Sequence, residues 1–379
     1  MKHYGVLVCG TNFGKFYISA LMKSNPCFFL AGILAKGSRR SRHIASELGV
    51  PLYTDVHEVP ESVNIACVVL KSTILGGQGT RVALELLKKG IHVIQEHPVH
   101  PGDIGQCLTV AAENRCHYHV NSHFVHVKPV KTFIEYVSKT IRTERPLFID
   151  ACTSLIYSTL DIIGRALGGL EPYGINPPVV WSDAVLSVMG TEVLPYKCIQ
   201  GVIGGVPVTF KLQNYFDPDD VDQNYLIMHR LCIGSESGNT TLLSSHGPVV
   251  WTQGYPMPVK PPGDAVVLDS GDESFKGHMS RYTHYSQPTS VVFSQQKGPS
   301  YRAVTQDLWP EAMLRALGAM KQQIETGRVS TWQSEDYLRS LSGLWLAFMK
   351  GFGKPDFVPI AEVDSCIPDP SAFADSLEG

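Results

Sequence analysis

The stretch Val6-Leu7-Val8-Cys9-Gly10-Thr11-Asn12-Phe13-Gly14-Lys15-Phe16-Tyr17-Ile18-Ser19-Ala20-Leu21-Met22 decides the fold. Its first four residues are an apolar run of strand length. Gly10 to Gly14 make a turn, and Phe16, Ile18, Ala20, Leu21 and Met22 follow in a helical pattern. A strand that turns tightly into a helix needs glycine where the backbone bends and where another backbone comes close. The N–H groups at the start of such a helix favour a bound anion such as a pyrophosphate. The spacing departs from the G-x-G-x-x-G fingerprint of dinucleotide sites: Gly10 holds the first place, Asn12 the second and Lys15 the third, with Gly14 one place early. An ordinary strand–helix turn of another α/β protein carries the same pattern, so the neighbouring stretches have to decide.

Outward from this turn, strand and helix alternate. Strands are read at Phe28–Leu34, Ile65–Leu70, Ile91–Gln95 and Tyr118–Asn121, and helices at Ser41–Leu48, Gln78–Lys89 and Ile104–Asn114. Short apolar strands separated by helices imply βαβ units and a parallel sheet. After a helix at Lys131–Thr140 the pattern changes. Longer strands at Leu147–Ser154, Val206–Tyr215, Tyr225–Gly234, Thr240–Leu243 and Val291–Ser294 suit an open antiparallel sheet. Amphipathic helices follow at Trp309–Thr326 and Ser334–Lys350, and the end reads as an extended tail. The expected fold is therefore α/β: an N-terminal Rossmann domain with a parallel sheet over residues 1–124, and a C-terminal α+β domain with an open, mainly antiparallel sheet over 125–379. The Pro-, Gly-, Asp- and Ser-rich segment Tyr255–Pro288 is too long for an ordinary connection and reads as a lid or a disordered loop.

Composition narrows the function classes. Of 379 residues, 44% are hydrophobic and 18% charged, which excludes disorder for most of the chain. The net charge of −3, from 32 Lys+Arg against 35 Asp+Glu, gives no sign of a general nucleic-acid or anionic-membrane binder. No apolar run approaches the ~18 residues of a membrane span, and no secretory leader is expected. The nine cysteines contain no Cys-x-x-Cys pair. A reducing cytoplasm suits them better than a disulfide framework or a structural zinc site.

The end of the second strand sharpens the cofactor. NAD sites place a carboxylate ~20 residues after the glycine turn, on the ribose 2′-OH. Here the chain reads Ala35-Lys36-Gly37-Ser38-Arg39-Arg40-Ser41-Arg42, with no carboxylate before Glu47. Ser38, Arg39, Arg40 and Ser41 suit a 2′-phosphate, and basic residues at a helix N-terminus are otherwise unfavourable. NADPH/NADP is expected, with Gly10, Thr11, Asn12, Phe13 and Gly14 at the pyrophosphate. Lys71, Ser72 and Thr73 end the next strand on the side where the nicotinamide half of a dinucleotide lies.

The strand read at Ile91–Gln95 leads into Gln95-Glu96-His97-Pro98-Val99-His100-Pro101. Here the chain resembles the Gfo/Idh/MocA oxidoreductases, many of which carry Glu-Lys-Pro at this point. The resemblance implies that Glu96, His97 and Pro98 sit beside the nicotinamide, with His97 in place of the acid–base lysine. Gly10–Gly14, Ile33–Arg42, Gly49–Tyr53 and Gln95–Pro101 further resemble one branch, the thiazolinyl imine reductases of yersiniabactin- and pyochelin-type siderophore biosynthesis. That resemblance implies NADPH-dependent reduction of a thiazoline C=N to a thiazolidine. The substrate would be a thiazolinyl intermediate bound to a carrier protein of a nonribosomal peptide synthetase. It also implies a homodimer paired through the second sheet; from charge and hydropathy, no nucleic acid and no membrane is expected as a partner.

A hydride on the imine carbon leaves the nitrogen in need of a proton, and a histidine supplies one near neutrality. His97 is the first candidate. In this branch a tyrosine stands near the end of the strand that corresponds to Tyr118–Asn121 as a second acid, whereas this chain has Phe124, flanked by His123 and His126. Either of those histidines, or solvent, takes its place. His117 and His119 share a strand face but lack partners for a tetrahedral site, so no metal is expected. His100 reads as a helix-start residue. Tyr157 and Asp161 are candidates to face the substrate. The sugar-active relatives' Asp-x-x-x-His is broken here, since Arg165 follows Asp161, and this favours a non-sugar substrate. Trp251, Tyr255, Tyr282 and Tyr285 read first as packing residues and second as a pocket for an aryl group. Two alternatives stay open: a sugar or polyol dehydrogenase of the same fold, and a non-catalytic NADPH-binding regulator.

Overall fold

The structure is a computed structural model that describes residues 3–23, 25–191, 193–219, 226–254, 288–293, 298–359 and 370–377. Six strands, β1 (Tyr4–Cys9), β2 (Phe28–Leu34), β3 (Leu52–Tyr53), β4 (Ile65–Val68), β5 (His92–Glu96) and β6 (Tyr118–Asn121), form a sheet in the order β3-β2-β1-β4-β5-β6. Every neighbouring pair in it is parallel. Helices α1 (Lys15–Met22), α2 (Arg39–Leu48), α3 (Gly79–Lys88) and α4 (Pro101–Glu113) make the crossovers. All of β1 and β4 is buried, as expected of strands covered on both faces. The order reverses between β1 and β4, which opens a crevice at the carboxyl ends of these strands.

Two glycines permit the first crossover. Gly10 has φ +95°, and a Cβ there would lie 2.6 Å from the Val69 carbonyl oxygen. A Cβ on Gly14 would lie 2.0 Å from the carbonyl oxygen of Gly10. The glycine that reads as one place early is the one that lets α1 rest on the turn.

The chain continues through α5 (Lys128–Thr140) into a second sheet. Its strands are β7 (Phe148–Thr153), β8 (Tyr173–Ile175), β9 (Tyr196–Ile203), β10 (Val206–Gln213), β12 (His229–Gly234), β13 (Gly238–Leu242), β14 (Val249–Gln253) and β15 (Ser290–Val292). Their order is β15-β14-β13-β12-β7-β10-β9-β8, with β7 and β10 parallel and the other described pairs antiparallel. Along β10, Val206, Val208, Phe210 and Leu212 are buried while Pro207 and Lys211 are exposed, so one face is covered and the other open. Helix α6 (Ile156–Leu167) lies on the covered face, with Phe348 of the helix Glu335–Phe352 edge-on to Phe210 at 4.8 Å. The helix Trp309–Thr326 returns to the first sheet, where Met313, Leu317 and Met320 share a core with Val6, Val8 and Ile33.

Several sequence expectations need correction. The helix read from Ser41 begins at Arg39, because Ser38 caps it, and the helix read from Ile104 begins at Pro101 behind the cap His100. Strands β3, β8, β9 and β14 carry no clear alternation, and the sequence does not predict them. The strand read at Tyr118–Asn121 is found on those residues, and His123–His126 follow it as a single 3-10 turn. The tail is not all extended: β16 (Asp356–Phe357) pairs with β11 (Tyr215–Phe216), and residues Pro370–Leu377 are helical. The segment read as a lid or loop lies outside the described residues as far as 287.

Gly14→Ala is expected to destabilise the fold by about 1–3 kcal/mol, because α1 must retreat from the Gly10 carbonyl. Chemical denaturation measures this; an unchanged midpoint would contradict the close approach.

Candidate active site

The crevice has a basic end. Ser38 caps α2 by accepting from the Ser41 N–H at 3.2 Å, and the buried Ser41 hydroxyl donates to the Ser38 carbonyl at 3.0 Å. Ser41 therefore holds the turn. Arg39, Arg40 and Arg42 are exposed in the first turn of α2, which contains no acidic residue. The Arg40 guanidinium donates to the Thr11 carbonyl at 3.3 Å, and Arg42 Nε donates to the Gly37 carbonyl at 2.6 Å. Arg40 thus brings the basic loop against the glycine turn. The N-terminus of α1 has neither a side-chain cap nor an acidic residue in its first turn, so its N–H groups are suited to an anion.

At the other end, β5 delivers Glu96, His97 and Pro98, with a cis His97–Pro98 peptide. Glu96 Oε1 accepts from Tyr17 Oη at 2.5 Å and from Asn121 Nδ2 at 2.7 Å, and Asn121 Nδ2 also donates to Tyr17 Oη at 2.8 Å. Burial pushes the Glu96 carboxyl up to about 7, and these two donors oppose the rise. His97 Nδ1 lies 2.9 Å from the Asn121 carbonyl oxygen and 3.8 Å from Glu96 Oε2. A carbonyl only accepts, so Nδ1 carries the proton and Nε2 keeps its lone pair in the neutral ring. Burial lowers the His97 pKa, with the Asn121 bond and Asp161 opposing that shift. The His97 ring stacks on Tyr157 at 4.9 Å.

Ser72 is buried and its hydroxyl donates to the Pro98 carbonyl at 2.5 Å, tying the β4 loop to the motif. The Thr73 hydroxyl donates to Asp103, while Lys71 is exposed at the loop's surface. Asp161 is 2% exposed. It accepts from Arg165 Nε at 2.8 Å and from Tyr337 Oη at 2.7 Å, so the residue in the histidine place of the sugar pattern occupies its carboxylate.

His123 and His126 leave β6 on the 3-10 turn. His123 is 3% exposed, and its ring lies among Phe124 at 3.9 Å, Phe13 at 5.0 Å and Trp309 at 5.5 Å. Burial, then the charges of His97 and His229, hold it well below the ordinary histidine value. Burial and then Arg165 and Arg315 push His126 down to about 3, which makes it a poor proton carrier at neutral pH. The Phe124 ring meets the buried His229 edge-on at 4.5 Å, where a tyrosine hydroxyl is lacking. His229 is held between Ser158 Oγ at 2.7 Å and Ser245 Oγ at 2.8 Å. His246 accepts from Trp309 Nε1 at 3.2 Å. His229, His246 and Trp309 come to the site from distant strands and helices, and no local motif marks them.

The other singled-out residues have separate places. Gln323 accepts from His119 Nε2 at 2.8 Å and donates to His117 Nδ1 at 3.2 Å. Among the described residues, no group of three or more His, Cys, Asp or Glu side chains could hold a metal ion. His100 caps α4. Trp251 lies in β14 opposite Thr240, while Tyr255, Tyr282 and Tyr285 lie outside the described residues. No described helix is long and apolar enough to cross a membrane.

Residues 4–122 match the GFO_IDH_MocA model, an oxidoreductase family with an NAD-binding Rossmann fold. Residues 144–252 match the C-terminal model of the Irp3-like thiazolinyl imine reductases. No curated protein matches the chain. Among solved structures it is similar to a UDP-N-acetylglucosamine 3-dehydrogenase from Acidithiobacillus ferrooxidans, at 13% identity and TM-score 0.62, over 93% of this chain and 98% of that one. It is also similar to an oxidoreductase from Agrobacterium radiobacter in complex with NAD+, L-tartaric acid and magnesium, at 10% identity and TM-score 0.63, over 92% and 96%. A biliverdin reductase from Synechocystis sp. PCC 6803, in complex with biliverdin and NADP+, matches at 9% identity and TM-score 0.58, over 92% and 98%. At these identities the structural matches establish the fold alone.

The raised Glu96 carboxyl makes a stability prediction. Between the ordinary carboxyl value and about 7 the folded chain binds a proton that the unfolded chain has released, so this group's contribution falls as pH rises. The stability of Glu96→Gln relative to the wild type is therefore expected to grow by about 1–3 kcal/mol between pH 5 and pH 8. Denaturant titrations at both pH values read the difference; a constant difference would mean that Glu96 ionises normally.

Proposed function

We propose that this chain, whose residues 4–122 match the Gfo/Idh/MocA oxidoreductase model and whose residues 144–252 match the Irp3-like C-terminal model, reduces a thiazoline C=N to a thiazolidine with NADPH. The substrate would be a thiazolinyl intermediate tethered to a carrier protein during nonribosomal siderophore synthesis. The match of residues 144–252 to the imine reductase C-terminal model carries this reading. The engagement of Asp161 by Arg165 supports a non-sugar substrate, because it leaves that carboxylate committed inside the protein.

The residues fit the cofactor. Gly10 and Gly14 let backbone approach where a Cβ would collide, and the start of α1 offers N–H groups to a pyrophosphate. Arg39 and Arg40 suit the 2′-phosphate, as no neighbouring acid in the first turn of α2 competes for them. When bound, the reduced nicotinamide supplies the hydride. The chain's own task is the proton. Asn121 fixes Nδ1–H of His97, so the second proton that His97 can take, and then give to the imine nitrogen, sits on Nε2. Burial disfavours that charged form, so the imidazolium yields its proton readily.

Nicotinamide oxidation with a synthetic 2-aryl-thiazoline thioester tests the reaction. Turnover with the thiazoline and none with a panel of polyols is expected, and a carrier-bound substrate is expected to react with higher kcat/KM. Turnover with a polyol alone would replace the reading with a sugar dehydrogenase. NADPH binding without any turnover of the carrier-bound thiazoline would leave a regulator. Where chemistry limits the rate, His97→Ala is expected to lower kcat by about 10²–10⁴-fold. The wild-type rate is expected to rise as pH falls below the ordinary histidine value of about 6.5, and His97→Ala to lose that limb. An unchanged rate in the variant would assign the proton to solvent. Arg39→Ala with Arg40→Ala is expected to weaken NADPH by about 10–100-fold and NADH little; equal losses would remove the phosphate site.

A further inference from the structure

We propose that Ser122 and His123 form a hydrogen-bonding seat for the nicotinamide end of the dinucleotide, with His123 serving as a neutral recognition residue and not as a proton donor. This rests on the reading of the crevice as an NADPH site, but not on the identity of the substrate. Ser122 is 2% exposed and His123 3% exposed. Yet Ser122 Oγ and His123 Nε2 are buried with no hydrogen-bond partner among the described residues. Buried polar side chains in folded proteins are almost always partnered, because an unpartnered one loses its hydration without replacement. Two consecutive orphans at one strand end point to a partner from outside the chain.

Their position says which part of a ligand reaches them. Ser122 follows Asn121, whose carbonyl holds His97 and whose amide holds Glu96. His123 touches Phe13, which belongs to the glycine turn, and Trp309 covers it from the helix that packs back on the first domain. The pair therefore lies between the turn suited to a pyrophosphate and the motif beside which hydride transfer must take place. A nicotinamide carboxamide, with one acceptor oxygen and two donor hydrogens, matches a hydroxyl and an imidazole.

The chemistry of His123 also separates it from His97. The Asn121 carbonyl fixes the tautomer of His97, whereas no described group fixes that of His123, so either of its nitrogens can donate or accept. Burial and neighbouring histidines keep it neutral, which suits an uncharged amide and not a phosphate.

Binding measurements decide this without turnover. In fluorescence or calorimetric titrations, His123→Ala is expected to weaken NADPH and NADH by the same factor, roughly tenfold, the loss of about one hydrogen bond to a buried partner. Its affinity for 2′-phospho-ADP-ribose, which lacks the nicotinamide, is expected to stay at the wild-type value. His123→Asn, which keeps a donor and an acceptor, is expected to recover part of the loss. Unchanged NADPH affinity in His123→Ala would overturn the proposal. So would an equal loss for 2′-phospho-ADP-ribose, because that result means a disturbed fold or a contact elsewhere on the dinucleotide. Should NADPH bind as expected while thiazolines do not react, the proposed substrate falls and the seat stands.

Discussion

Asn121 joins the two strand ends on which the site is built. Its side chain donates to Glu96 and to Tyr17, and its backbone carbonyl accepts from His97. One residue of β6 thus orients an acid and a base delivered by β5, and ties both to α1 just after the glycine turn. Side-chain rotation of His97 would break its bond to the Asn121 carbonyl. The register of β5 on β6, with Glu96 opposite Asn121, is what places these atoms together.

The same burial that gives precise orientation sets the protonation states. The crevice raises the Glu96 carboxyl to about 7 and lowers His97, so both groups resist charge. His123, His126, His229 and His246 are lowered as well, each chiefly by burial, and nearby imidazoles add to the fall for His123, His126 and His229. A site with this many buried imidazoles favours holding few protons at neutrality. That distinguishes recognition, which neutral rings perform well, from acid catalysis, for which a single ring must be charged transiently. His97 is suited to the second task because its tautomer leaves one defined nitrogen, Nε2, to take up and release the proton.

Much of the first domain was legible because its signals are local. The apolar run Val6–Cys9, the glycine turn and the alternation through Asn121 depend on neighbours in sequence, and β2 and β6 fall on the residues read for them. The basic start of α2 was legible as a charge pattern, although capping by Ser38 moves Arg39 and Arg40 into the helix itself. The second domain was less legible. Half of the residues of β9 are half-buried, among them Gly201, so its alternation is faint. The walls of the site were the least legible. His229 is a buried polar residue at the start of β12, next to the exposed Arg230, and Trp309 begins a helix whose packing partner, α1, lies near the other end of the chain. Only tertiary contact brings them beside His123.

The most direct measurement is nitrogen-15 NMR of the histidine side chains, with His97 assigned by comparison with His97→Ala. The account predicts a neutral ring at pH 7 with the proton on Nδ1 and a bare Nε2. It also predicts titration below the ordinary histidine value of about 6.5. A proton on Nε2 at neutral pH, or titration above that value, would contradict it. The first result would detach His97 from the Asn121 carbonyl and remove the geometry from which the proton transfer is derived; the second would mean that burial does not govern the charge of the ring.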